Sequence, residues 1–75
     1  MRRYTAIVNH DTEQGGYWVS VPALPGCYSR GDTVDEALVN VQEAIVLYLE
    51  TLQAEGQAIP IETESPQAIV VSVAA

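Results

Sequence analysis

The chain has very little positive charge. It contains three basic residues, all arginine, against ten acidic residues, which gives a net charge of −7. A surface of that sign repels phosphate backbones, so direct binding to DNA or RNA is not expected. The same charge keeps a small protein in solution, and it attracts a basic protein partner over long range. Charge alone leaves both interpretations open.

Cysteine and histidine are scarce as well. A single cysteine, Cys27, excludes an internal disulfide, and together with the single histidine, His10, it falls far short of a metal-ligand set. A nucleophilic or redox role for Cys27 would need a neighbouring base, and His10 is the only histidine that could serve. Burial as a small apolar side chain is the commoner fate and is favoured. For His10, a place in a turn is favoured over pH sensing.

The sequence also lacks long hydrophobic runs. None is long enough to span a bilayer, and the first residues do not contain the apolar core of a signal peptide, so a cytoplasmic protein without membrane contact is expected. The 75 residues, 48% of them hydrophobic, predict one folded domain. A chain of this size buries only about 60% of its unfolded surface, so association between subunits would add stability.

Three short strand-forming segments open the chain. Residues 3–9 and 17–21 are rich in β-branched and aromatic side chains and predict an antiparallel hairpin. Residues 27–30 predict a short third strand. Because side chains alternate along a strand, Tyr17 and Trp18 fall on opposite faces of the sheet.

The joint between the second strand, the third strand and the following helix is dense in turn formers. Pro22 has no N–H to donate and ends the pairing of strand two, and Pro25-Gly26 is a β-turn pair. A phosphate-binding loop is not predicted, because the glycine spacing does not match one and no lysine is present. The residues predicted to have only turn and cap roles are Pro22, Pro25, Gly26, Gly31, Asp32 and Thr33.

A long amphipathic helix is predicted over residues 33–55. Thr33 and Glu36 have the spacing of a capping box, and Gly56 suits the position just after the helix. Apolar residues recur at helical spacing and form a core-facing stripe. That stripe comprises Val34, Ala37, Leu38, Val41, Ala44, Ile45, Tyr48, Leu49 and Leu52.

A fourth strand is predicted near the end of the sequence. Residues 58–67 contain two prolines and predict an extended connector, whereas residues 68–73, AIVVSV, predict a strand buried on both faces or nearly so. The element order β-β-β-α-β indicates an α+β fold, with one sheet and one long helix on one of its faces.

Further apolar residues lie off the core-facing stripe of the helix. Val39 and Val46 are seven residues apart, and three glutamates repeat at the same interval as an acidic ridge. This pattern favours an association surface, although single exposed apolar side chains are also common. Trp18 presents a similar choice between a protein contact and a cap on the core. The predicted partner-binding residues are Tyr17, Trp18, Glu36, Val39, Glu43, Val46 and Glu50.

The segment GYWVSVPALPGCYSRGDTVDEALVNVQEAIVLYLETLQAEG resembles the HicB antitoxin family. The shared pattern is G-Y-x-V-x-V-P-x-L-P-G-C, then G-D-T, then E-A and a long helix. The resemblance extends over residues 4–56, and the final apolar run is compatible with it. It implies a partial ribonuclease-H-like fold with sheet order 3-2-1-4.

The resemblance also implies a function. Members of this family neutralise HicA toxins, which are small basic ribonucleases, so the chain is expected to bind and mask a HicA-type mRNA-cleaving toxin in a type II toxin–antitoxin system. Residues 1–75 are expected to be a single HicB-like domain without the C-terminal DNA-binding domain of many members. The alternative is a solo, oligomeric, non-catalytic interaction module without a toxin. A homo-oligomer is expected in both cases.

A nuclease activity is not predicted from the implied fold. Ribonuclease-H-like cleavage needs acidic side chains clustered around divalent metal ions. The first and fourth predicted strands contain no acidic residue, and Asp11 follows the end of the first. The chain is therefore predicted to have no catalytic residue, cofactor or metal site.

Overall fold

The protein is an α+β domain, seen in a computed structural model that describes residues 2–62 and 69–74. Its elements, in chain order, are β1 (Ile7–His10), β2 (Tyr17–Ser20), β3 (Tyr28–Gly31) and α1 (Val34–Ala54). The prediction of an antiparallel three-stranded sheet followed by one long helix is confirmed. In residues 2–62 and 69–74, no helix has the combination of length and apolar character that a membrane crossing needs.

The sheet has the order β1-β2-β3, and both neighbouring pairs are antiparallel. Ile7 lies opposite Ser20, and Trp18 lies opposite Arg30. β1 begins four residues later than the predicted residues 3–9 and ends one residue later, so His10 lies in the strand and its predicted place in the turn is wrong. If the pairing of β1 with β2 continued toward the N-terminus, Thr5 would lie opposite Pro22, which has no N–H to donate to a further hydrogen bond.

The connection between β2 and β3 is a compact turn that also supplies a core residue. The Leu24 N–H donates to the Val21 carbonyl at 3.0 Å, and the Cys27 N–H donates to the Leu24 carbonyl at 2.9 Å. Gly26 has a φ of +80°, a conformation that side chains rarely adopt. The turn buries the Leu24 side chain completely.

Both ends of α1 are capped by their own sequence. The Glu36 N–H donates to Thr33 Oγ1 at 3.1 Å, so Thr33 is the N-cap. At the other end, the Gly56 N–H donates to the Gln53 carbonyl at 3.1 Å, and the Gln57 N–H donates to the Leu52 carbonyl at 2.9 Å. This pair of bonds is a Schellman motif, which requires the positive φ of Gly56. The helix is thus one residue shorter at each end than predicted.

The core lies between α1 and one face of the sheet. Its buried side chains are Val19, Val21, Leu24, Cys27, Ala37 and Val41. Gly31, at the end of β3, allows the helix to start directly against the sheet, because a Cβ there would overlap the Ala37 backbone nitrogen and come within 2.8 Å of the Glu36 carbonyl carbon. The opposite face of the sheet has no covering layer within the described residues.

The predicted fourth strand is wrong for the part of it that the structure describes. Residues 69–74 belong to no strand or helix. The side chains of Ile69, Val70, Val71 and Val73 are 73%, 95%, 76% and 81% exposed, instead of buried. Ala68 lies outside the described residues. A β-branched run has the propensity to pair, but pairing also requires an edge in reach, which propensity does not supply. The order 3-2-1-4 and the ribonuclease-H-like topology stay predictions.

Candidate protein-binding surfaces

Two partly exposed surfaces lie on opposite sides of the molecule. The first, the sheet-face cluster, consists of Trp18, Tyr28, Arg30 and Asp11 on and beside the uncovered face of the sheet. The second, the α1 groove, lies on the helix surface that points away from the core. It is lined by Val39, Gln42, Glu43, Val46, Leu47 and Glu50.

Two aromatic rings and one cationic side chain pack together in the sheet-face cluster. The Trp18 and Tyr28 ring centroids are 5.7 Å apart, and the rings are tilted by 52°. The Arg30 guanidinium carbon lies 5.1 Å from the Trp18 ring centroid, within cation–π range. Trp18 is 38% exposed and Tyr28 is 61% exposed. Only Trp18 of these three was predicted as a contact residue, because the others depend on the register of β2 and β3.

Asp11 holds Trp18 in place from the first hairpin turn. Its Oδ1 accepts from the Glu13 and Gln14 N–H groups, both at 3.1 Å, and its Oδ2 accepts from Trp18 Nε1 at 3.1 Å. Arg30 Nη2 lies 3.9 Å from the same Oδ2. The Gln14 hydrogen bond, with those of Trp18 and Glu13 and the charge of Arg30, lowers the pKa of Asp11 from its ordinary 3.8, against opposing desolvation. Asp11 therefore positions the tryptophan as an ionised acceptor.

The α1 groove is a shallow depression of about 500 Å³ with an apolar floor and an acidic rim. Val39, Val46 and Leu47 are 55%, 54% and 64% exposed, which is unusual for three neighbouring aliphatic side chains. Glu43 and Glu50 carry the only charges among the lining residues. The groove therefore combines exposed apolar area with two negatively charged side chains.

A third feature fixes the segment that follows the helix to the start of the sheet. Glu62 accepts from the Thr5 N–H through Oε1 and from Thr5 Oγ1 through Oε2, both at 2.5 Å. The Tyr4 hydroxyl donates to the Pro60 carbonyl at 2.6 Å. The two hydrogen bonds from Thr5, the side-chain bond first, lower the pKa of Glu62 from its ordinary 4.5. Residues 60–62 are therefore held beside the chain just before β1.

Sequence comparison assigns the chain to a family. The profile described as the HicB-like antitoxin of bacterial toxin–antitoxin systems matches residues 4–72. The chain belongs to the HicB-like antitoxin family. It is 50% identical over 58 residues to a UPF0150 protein of Thermoplasma acidophilum, across 77% of this chain and 83% of that protein. It is 48% identical over 59 residues to a UPF0150 protein of Synechocystis, across 79% of this chain and 73% of that protein.

A solved structure supports the same assignment. The HicB-like chain superposes on the crystal structure of the N-terminal domain of the Burkholderia pseudomallei antitoxin HicB with a TM-score of 0.67 and 38% sequence identity. The match covers 80% of this chain and 68% of that one. The resemblance read from the sequence is thereby confirmed. Membership of this family indicates an antitoxin role in a toxin–antitoxin system.

The partner-binding residues predicted for this HicB-like chain do not form one site. Val39, Glu43, Val46 and Glu50 lie together in the α1 groove, and Trp18 lies in the sheet-face cluster. The other two are separate and are described next. Gln42 was missed as a candidate, although it lies within one helical turn of Val46. Leu47 lies off the core-facing stripe, like Val39 and Val46, but was not among the predicted partner-binding residues.

Tyr17 and Glu36 have local roles in the HicB-like fold. The Tyr17 ring stacks on His10, with centroids 5.0 Å apart, and packs against the core on the face that α1 covers. The Glu36 carboxylate accepts from the Asp32 N–H at 3.2 Å, at the N-terminus of α1. Neither side chain lines the groove.

Cys27 is part of the core. Its side chain is 6% exposed and packs with Val21 and Leu24, and burial raises the pKa of its thiol above the ordinary 9.0. A buried thiol with a raised pKa is protonated at neutral pH, which disfavours nucleophilic chemistry.

Proposed function

We propose that this chain binds and masks a HicA-type mRNA-cleaving toxin in a type II toxin–antitoxin system, and that the toxin docks in the α1 groove. Membership of the HicB-like antitoxin family supports the class of partner. The observation that carries the choice of surface is the grouping of exposed Val39, Val46 and Leu47 between Glu43 and Glu50.

The chemistry of the groove fits a basic protein. Buried apolar area supplies most of the free energy of association, at about 25 cal/mol per Å². Glu43 and Glu50 present negative charge at the rim, where charges act chiefly on the rate of encounter and on partner choice. The net charge of −7 extends this attraction beyond the contact itself.

Masking requires no catalysis. A ribonuclease must hold the phosphate backbone of its substrate with basic side chains. An acidic groove that engages those side chains occupies the surface that RNA needs. The antitoxin thus inhibits by covering the toxin, and the fraction of toxin inhibited equals the fraction bound in the complex.

The experiment mixes the chain with a HicA-like toxin encoded beside it, and measures the dissociation constant by calorimetry and RNA cleavage by gel assay. Val46→Glu is expected to weaken binding by about 30-fold or more, the loss of an interface hot spot of about 2 kcal/mol. Replacing Glu43 and Glu50 by Gln is expected to slow association and to reduce its salt dependence.

Matched variants assign the surface. Val34→Glu introduces the same charge on α1 outside the groove, and Trp18→Ala removes the central side chain of the sheet-face cluster; both are expected to bind as the parent does. Absence of a complex at micromolar concentration would contradict the proposal. A loss caused by Trp18→Ala but not by Val46→Glu would move the toxin to the other surface.

The second candidate function is a solo interaction module that assembles with copies of itself. The exposed apolar residues Ile69, Val70, Val71 and Val73 favour it, because a run of this kind seeks a partner. Growth assays separate the two functions. Rescue of cells from a neighbouring toxin by the chain supports the antitoxin role, and formation of oligomers without rescue supports the module.

A further inference from the structure

The uncovered face of the sheet carries the residue types that dominate protein interfaces. Val19 is buried against α1, and side chains alternate along a strand, so Trp18 and Ser20 point away from the helix. Trp, Tyr and Arg are the commonest anchors of protein interfaces. One of each occurs here, in contact with one another, as Trp18, Tyr28 and Arg30. A toxin in the α1 groove leaves this face unoccupied, because the two surfaces lie on opposite sides of the molecule.

The anchor side chains of this face are fixed before a partner arrives. Trp18 Nε1 donates to Asp11 Oδ2 at 3.1 Å, and Arg30 Nη2 donates to the Gly15 carbonyl at 2.8 Å. The Arg30 guanidinium lies over the Trp18 ring, and the Tyr28 ring packs against the same indole. Side chains that are already ordered lose less conformational entropy on association. The face is therefore preorganised for a contact.

Charge identifies the kind of partner. Arg30 is the only lysine, arginine, aspartate or glutamate in the three strands, and Asp11 Oδ2 lies 3.9 Å from it. The face thus has no net charge, although the chain carries −7. By contrast, α1 contains no basic residue and four acidic ones, Asp35, Glu36, Glu43 and Glu50. A basic partner gains most on α1, whereas two copies of this acidic chain repel each other least where the contacting faces are neutral.

The register of the strands makes the face complementary to itself. Two rows of side chains cross it, and they consist of Ile7, Ser20 and Tyr28 in one row and Asn9, Trp18 and Arg30 in the other. Turning a second copy by 180° about an axis along β2 leaves β2 facing β2 and exchanges β1 with β3. Tyr28 of each copy then faces Ile7 of the other, and the two Trp18 side chains meet at the axis. Arg30 faces Asn9 of the other copy, beside its Asp11.

We propose that two copies of this chain pack sheet against sheet through the sheet-face cluster, with the two-fold axis along β2. Packed sheets lie about 10 Å apart with their strands within about 30° of each other, so side chains of both faces interdigitate. Tyr28 and Ile7 supply apolar contact, and each Arg30 gains a second carboxylate. Three short strands make a small interface, so the dimer is weak. Both α1 grooves remain on the outside, so the dimer does not depend on the toxin.

The decisive experiment is NMR on a mixture of ¹³C,¹⁵N-labelled and unlabelled full chain at millimolar concentration, without toxin. Isotope-filtered NOE spectra are expected to show cross-peaks between the Tyr28 ring of one copy and the Ile7 methyl groups of the other. Within one copy these residues are two strands apart, at about 10 Å. A monomeric mass at this concentration, or intermolecular cross-peaks from α1 instead of the sheet, overturns the proposal. Neither outcome bears on toxin binding, which is measured separately.

Two matched substitutions, followed by sedimentation velocity over a concentration series, test the same face. Tyr28→Asp is expected to raise the dimer dissociation constant by at least about tenfold, because it replaces an interface anchor by a charge. Val39→Asp places the same charge at a similarly exposed position in the α1 groove and is expected to leave the dimer intact. Equal effects of the two variants, or a dimer unchanged by Tyr28→Asp, overturn the proposal. Unchanged far-ultraviolet circular dichroism confirms that both variants are folded.

Discussion

The indole of Trp18 donates a hydrogen bond to Oδ2 of Asp11 across the first hairpin, at 3.1 Å. The bond joins the sheet face to the β1–β2 turn, since the other carboxylate oxygen of Asp11 accepts from the turn backbone. Trp18 is the single tryptophan of the chain. Its fluorescence therefore reports on the hairpin.

Acid is expected to release Trp18 from Asp11. A carboxylate with a lowered pKa stabilises the fold above its ordinary pKa, and that contribution disappears as the pH falls through the lowered value. Trp18 emission should therefore stay constant from neutral pH down to pH 3.8, the ordinary pKa of an aspartate, and change below that pH. Asp11→Asn should lack this transition. A transition centred above 3.8 would contradict the assigned hydrogen bonds.

Removing the Thr5 hydroxyl is expected to raise the pKa of Glu62. Thr5→Val keeps the shape of the side chain but removes the hydrogen bond that contributes most to lowering this pKa. In this variant, the pKa of Glu62, measured by NMR from the chemical shift of its carboxyl carbon, should rise toward 4.5. In the parent chain the contact is complete above pH 4.5 and is lost as the pH falls through the lowered pKa.

A matched threonine controls for this change. Thr12→Val alters an exposed residue in the first hairpin turn and should leave the Glu62 titration in place. Equal titrations in the parent chain and in Thr5→Val would show that Thr5 Oγ1 does not bind the carboxylate in solution.

Gly31→Ala is expected to lower the free energy of unfolding by about 3 kcal/mol, the upper end of the range for overpacked sites. The added methyl group meets backbone atoms of Glu36 and Ala37, which move only if α1 moves. Gly15→Ala is the control, since nothing lies within 4 Å of its Cβ and only its φ of +78° opposes alanine, at about 1 kcal/mol. Urea unfolding measures both, and equal losses would argue against a direct contact of helix and strand.

Cys27 is expected to react slowly with thiol reagents in the folded protein. Burial raises its pKa above 9.0 and restricts access, and only the thiolate is nucleophilic. Labelling at pH 8 should be at least about tenfold slower than labelling of the same thiol in the unfolded chain. In denaturant the rate should become that of the free thiol. Fast labelling of the native chain would place Cys27 outside the core.

Local chemistry made the helix predictable, and long-range pairing made the last strand unpredictable. Thr33, Glu36 and Gly56 determine the ends of α1 through bonds to neighbours in sequence, so their spacing is informative without tertiary structure. Residues 69–73 belong to no strand, because pairing also requires a sheet edge within reach. Their composition reports β propensity but contains no information about that edge.

Of the two candidate surfaces, the one on the helix was predictable from the sequence and the one on the sheet was not. Val39, Glu43, Val46 and Glu50 share one helix face, so their seven-residue repeat was enough to group them. Tyr28 and Arg30 join Trp18 only through the register of β2 and β3. Register depends on the length and type of the turn, which the Pro25-Gly26 pair alone does not determine.

Because the domain has two layers, the α1 groove and the sheet-face cluster lie on opposite outer faces of the molecule. The shortest principal extent of the molecule is 20 Å, about the thickness of one sheet and one helix. A single copy thus presents two opposed surfaces, each with room for one partner protein. When this chain is titrated with a partner, the number of binding sites should therefore be fitted as a variable, because the two surfaces can each bind one protein.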